Sequence, residues 1–214
     1  VLKAAYTIIG FQIMSKGKIS FYTFFLMTGG MIVPYIWGLI FLNEPASLLR
    51  TTGLLVIAAA LFIINADGPK PGIKQILMCC AVFVLNGFVS VISKEHQINT
   101  AAVSAMDFVV LTGIATAVLC SAALFFVKRK SGEKKDFSFK PVMLILGAAL
   151  LSGFSYLLQL IGAENLPSTV LYPIITGGSI IFTAFSGILF FKEKVTSRTM
   201  LGMGLCFLGT CMFL

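Results

Sequence analysis

Few residues in this chain can do chemistry, and most of those lie at the edges of apolar runs. Asp107 is the exception: it lies about two turns into an apolar run at 101–127. An ionisable group at that depth is costly unless paired or wetted, which marks it as a coupling or gating residue. The alternative is a helix that begins near Asp107 and leaves the carboxylate at the interface. Glu44 and Glu193 each close an apolar run, three residues before Ser47 and Thr196 open the next. A carboxylate there either meets the free N–H groups and positive end of the following helix or serves as a gate. His96, the single histidine, stands between Glu95 and Gln97 in a polar connection and reads as solvated rather than as a proton relay.

Uncharged polar side chains enter the runs themselves. Gln12, Asn86, Ser152, Ser155, Tyr156 and Gln159 are flanked by apolar residues on both sides. Such groups bond helices together or line a cavity. A Gln left unpaired in lipid costs about 2–7 kcal/mol, so it must find a helix, water or a solute. Tyr offers an apolar face with a polar tip, suited to an amphipathic solute. The expected binding set is Gln12, Gln159, Tyr156, Tyr172 and Asn86, with the two glutamines facing one cavity and the tyrosines on its wall.

Enzyme patterns are not found. No H-E-x-x-H, phosphate-binding loop or Cys/His/carboxylate cluster occurs, and 152–155 is not a nucleophile elbow. No catalytic residue, metal site or cofactor is therefore expected. The five cysteines all sit in apolar runs without metal-ligand spacing and read as packing residues.

The elements that hold these residues follow from composition. The chain is 58% hydrophobic and only 11% charged, with mean hydropathy +0.99. Soluble domains carry about 25% charged residues, so the solvent suited to this surface is lipid. Crossing a bilayer takes about 20 apolar residues, and seven runs approach or exceed that: 20–42, 48–65, 73–93, 101–127, 142–163, 169–191 and 197–214. An eighth, 1–14, is shorter and reads as the tail of a helix. The fold class is all-α, a polytopic membrane helix bundle. Trp37 and Tyr35, near a run's end, read as an aromatic belt. The net charge of +8 does not indicate nucleic acid, because short cytoplasmic loops collect Lys and Arg.

An internal repeat organises the bundle. Gly38, Phe41, Glu44, Ser47 and Gly53 recur as Gly187, Phe190, Glu193, Thr196 and Gly202, in the pattern G-[LI]-[IL]-F-[LF]-[NK]-E-x-x-[ST]-x5-G. Thr28, Gly29 and Gly30 match Thr176, Gly177 and Gly178, and Gln12 matches Gln159. These Gly pairs suit close helix packing or bending, as does Pro173. The copies lie five spans apart; five is odd, so the halves are expected to be inverted, as in secondary transporters. Thirteen of the sixteen basic residues fall on alternate connections, leaving Lys3, Arg50 and Lys94 on the other side. The positive-inside rule then places 128–140 in the cytoplasm and Leu214 outside.

The repeated Gly–Glu–Ser/Thr–Gly helix pair, with Leu171, Tyr172 and Pro173 through Glu193 and Gly202, resembles the EamA-type proteins of the drug/metabolite transporter superfamily. The resemblance implies ten helices as two inverted five-helix repeats. Residues 1–66 would be helices three to five of the first, and 72–214 the whole second repeat, with two N-terminal helices lacking. It also implies a multi-pass protein of the bacterial cytoplasmic membrane that moves small organic solutes by alternating access, with efflux the expected direction. Uptake or exchange of a sugar, nucleotide-sugar or amino acid, or a non-transporting membrane subunit, are the alternatives. The expected partners are the lipid bilayer and the solute.

Overall fold

The computed structural model describes residues 1–15, 19–65, 72–99, 101–131, 139–191 and 196–213. Among them the chain forms eight helices: α1 (Leu2–Met14), α2 (Ile19–Phe41), α3 (Leu48–Asn65), α4 (Ile73–Ile98), α5 (Ala105–Ser131), α6 (Phe139–Asn165), α7 (Ser168–Phe191) and α8 (Ser197–Cys211). Lipid cannot solvate a free backbone, so continuous helices that bond all their own N–H and C=O groups are the solution an apolar chain adopts. Each break falls at polar punctuation. After α2, Asn43 takes φ 50°, a left-handed conformation that Asn tolerates better than other side chains.

Six of the described helices, α2 to α7, are long and apolar enough to cross a membrane, where seven runs promised full spans. The difference is α8. It holds only 15 residues, ending at Cys211, where Phe213 turns back through a bond from its N–H to the Thr210 carbonyl. The Phe213 ring is thereby buried against Gly53 of α3. At 1.5 Å per residue α8 reaches about 22 Å.

Helices α2, α3, α7 and α8 pack together, and α4 lies against α1, α2 and α6. The main core joins Met31 and Tyr35 of α2, Leu54, Ile57, Ala60 and Leu61 of α3, Val170 and Ile180 of α7, and Cys206 of α8. A second, around Ile13, Cys79 and Val82, joins α1 to α4. The α2–α4 contact is close enough to need glycine. A side chain at Gly29 would meet the Phe83 backbone, and one at Gly87 would meet Val33 and the Gly29 carbonyl.

Among the described residues the outer surface is largely apolar. Leu48, Phe62, Leu144, Leu150, Phe182, Phe190 and Leu208 are all exposed, and none of Ala105–Ala122 in α5 is buried. Packed only partly, against α1 and α6, a helix apolar all round belongs with its remaining faces in lipid.

Candidate functional site

The polar residues of α4 form one stripe. Asn86, Ser90, Ser93 and Lys94 follow at spacings of four, three and one, which places them along one face of a helix. That face meets α2 and α6 and is reached from α7 by one hydrogen bond, and each side chain has a defined bond across or along it. The Asn86 amide donates to the Leu26 carbonyl of α2 at 2.8 Å. Ser93 Oγ and the Tyr156 hydroxyl of α6 are 2.8 Å apart. The Tyr172 hydroxyl of α7 donates to the Ser90 carbonyl at 2.6 Å. Lys94 Nζ donates to the carbonyls of Ala163 and Leu166 at 2.6 and 2.8 Å.

These bonds frame a cavity of about 240 Å³ between α1, α2, α4, α6 and α7. Its wall includes Asn86, Tyr156, Gln159 and Tyr172, four of the five residues expected to bind solute, together with Gly30 and Thr176. Gln159 lies beside the Tyr172 hydroxyl. A second cavity of about 300 Å³, between α1, α4, α5 and α6, shares Lys3, Val89 and Tyr156 with the first. The shared partition is a stacked pair: Lys3 Nζ lies 4.6 Å from the centre of the Tyr156 ring, a cation–π distance.

Gln12 is not among the cavity residues. It is exposed on α1, nine residues or about two and a half turns beyond Lys3, which places it on the opposite side of that helix. Asp107 also lies apart. It is exposed in the first turn of α5, where it accepts a bond from Ser104 Oγ at 2.7 Å while its own N–H donates to that oxygen at 3.2 Å. That is helix capping, with the helix starting near Asp107. Glu193 lies outside the described residues. Gly177 packs on Thr210 of α8, whereas Gly178 faces open space. Pro173 is fully buried inside α7.

Glu44 does cap a helix, but not the next one. Its carboxylate accepts from the N–H groups of Ser168 and Thr169 at 2.6 and 2.7 Å, the first residues of α7. Gly38 makes this reach workable: a side chain there would come within 2.6 Å of the Glu44 carboxylate. Glu44 and Lys94 thus flank the α6–α7 turn with opposite charges. The carboxylate faces the positive end of α7 and the ammonium the negative end of α6, as the helix dipoles require. Thr196 caps its own helix instead, accepting from the Thr199 N–H at 3.2 Å.

Several residues take roles that composition did not suggest. Tyr35 is a core residue rather than part of a belt, its hydroxyl 2.8 Å from Thr51 Oγ1. Trp37 stacks on Phe41 and donates to Glu95 at 2.6 Å. His96 stacks on Phe108. Sequence reading passed over Lys3, Tyr6 and Lys94. The signal was there: Lys3 and Tyr6 are one helical turn apart on an otherwise apolar helix, and Lys94 continues the polar stripe that begins at Asn86.

A polytopic bundle with a largely apolar exterior and a cavity walled by five helices has the architecture of a membrane protein. The model of the EamA-like transporter family matches residues 73–214. The chain belongs to that family, and with its six apolar helices it is an integral, multi-pass membrane protein. None of the curated proteins matches the chain.

Proposed function

We propose that the protein is a gradient- or exchange-driven carrier of small organic solutes, working by alternating access, with the cavity between α4, α6 and α7 as its solute site. One observation carries this reading: Asn86, Tyr156, Gln159 and Tyr172, from three helices, converge on one cavity in a chain of a transporter family. Efflux is the proposed direction. The test is solute flux by the purified protein in proteoliposomes. Gln159→Leu removes the amide while keeping a side chain of similar length, and is expected to cut flux at least about tenfold with normal yield and monodispersity, on the scale of one lost buried hydrogen-bonding group. Flux unchanged within error would remove Gln159 from the site.

The two halves, 1–66 and 72–214, are proposed to be inverted copies, with α1, α2 and α3 corresponding to α6, α7 and α8. The packing supports this: α1 meets α2 as α6 meets α7, and α2 meets α3 as α7 meets α8. Matched positions Asn43 and Lys192 should then lie on opposite sides of the membrane. In a background without native cysteines, a cysteine at Asn43 is expected to react with an impermeant thiol reagent on intact cells. Cysteines at Lys192 and Ser131 should react only in inverted vesicles. Labelling of Asn43 and Lys192 from one side would overturn the inversion, and labelling of Ser131 on intact cells would overturn the orientation.

A further inference from the structure

We infer that the solute carried by this cavity is an organic anion, its negative group held by Lys3 and its body by the tyrosine and aliphatic walls; the inference rests on the transport reading above. Lys3 is the one charged side chain lining either cavity among the described residues, and no carboxylate lines them. Lys3 is half-buried, and an ammonium set among apolar helices without a carboxylate beside it calls for a counter-charge or water. Its aromatic partner Tyr156 orients the ammonium but does not neutralise it.

Other polar residues of the wall can add donors to the same negative group. Gln159 and Tyr6 both line the cavity, and an amide N–H and a phenolic hydroxyl can each donate to a carboxylate or phosphate oxygen. The remaining wall is apolar, with Leu26, Met27, Val89 and Ile175, which suits a hydrocarbon or aromatic body. A cationic solute would meet a like charge with no carboxylate to offset it. A neutral one would leave the ammonium without a counter-ion.

Three probes of nearly equal shape and different head group test this by equilibrium binding to the intact protein in lipid nanodiscs at pH 7: phenylacetate, phenylacetamide and phenethylamine. Phenylacetate is expected to bind at least about tenfold more tightly than the amide, the scale of a charge-assisted contact over a neutral one, and phenethylamine most weakly. Lys3→Met should erase the preference for the acid and Lys3→Arg should keep it. The wild-type ratios decide the matter even if Lys3→Met fails to fold. Equal or tighter binding of the amide or the amine, binding of none of the three, or a preference surviving in folded Lys3→Met would each overturn it. Binding is read without flux, so the two readings fail separately. Acid-selective binding without flux in proteoliposomes sinks the transport reading and leaves the anion site, whereas flux without head-group preference does the reverse.

Discussion

Replacing Lys94 with Met is expected to lower the unfolding temperature of the detergent-solubilised protein by about 10 °C, corresponding to about 3 kcal/mol for a chain of this size. Lys94 is 6% exposed, and its ammonium holds two carbonyls at the end of α6, those of Ala163 and Leu166. Met keeps the apolar stem and removes the donors. The Ala163 carbonyl, which is buried, and the partly buried Leu166 carbonyl then lose their partner, at up to about 1–3 kcal/mol each, and the Glu44 and Glu95 carboxylates lose a cation that acts on them. Breaking one side of a buried charge arrangement generally costs about 3–5 kcal/mol, partly recovered here because the ammonium no longer has to be desolvated. An unfolding temperature within about 2 °C of wild type would show that the α6–α7 turn does not depend on Lys94.

The same contact bears on function through position. Tyr156 and Gln159 ride on α6, Tyr172 on α7, and Asn86 and Ser90 on α4. Lys94 ties α4 to the end of α6, and Tyr172 ties α7 to the Ser90 carbonyl. A few polar bonds on one face of α4 thus tie together helices that wall the cavity. In a bundle where lipid is as apolar as the side chains, hydrophobicity does not favour one helix pairing over another. Such bonds and close glycine contacts have to select it.

How legible this was depended on the kind of information needed. Run length and hydropathy report where a helix crosses, so α2 to α7 followed from the sequence. On a helix apolar all round, those same properties say nothing of which side faces a neighbour. Polar residues were the guide that remained, and Asn86, Tyr156, Gln159 and Tyr172 do meet. Gln12 shows how that guide slips. Gln12 to Gln159 spans 147 positions, Gly29 to Gly177 spans 148, and Glu44 to Glu193 spans 149. One residue of slippage turns a helical side chain by about 100°, enough to carry it from the cavity wall to the outside. The partners of Lys94 and Glu44 were beyond reach for another reason. They lie 69 and 124 positions away, and nothing local points to them.

Glu44→Ala should produce a second large loss of stability, about 2–5 kcal/mol, because it uncovers two N–H groups that water cannot reach. The first two turns of α7 explain why. Pro167 precedes the helix and brings no side-chain acceptor, while its carbonyl already accepts from Val170 and Leu171. The N–H groups of Ser168 and Thr169 are thus orphans of the helix start, and both residues are almost wholly buried, at 1% and 0% exposure. Glu44 takes both. Glu44→Gln keeps one acceptor oxygen and a neutral head, so it should retain about half of the stabilisation. Gly38→Ala makes the discriminating partner: its new methyl would stand 2.6 Å from a Glu44 oxygen, and should displace the carboxylate from α7. If the G-x5-E spacing exists to let Glu44 fold back over the end of α2, the effects of Gly38→Ala and Glu44→Ala are not additive. The double variant should be no less stable than Glu44→Ala alone, measured as unfolding temperature in the same detergent. Additive losses would mean that Gly38 acts through some contact other than Glu44, and an unshifted Glu44→Ala would mean that the start of α7 is capped without it.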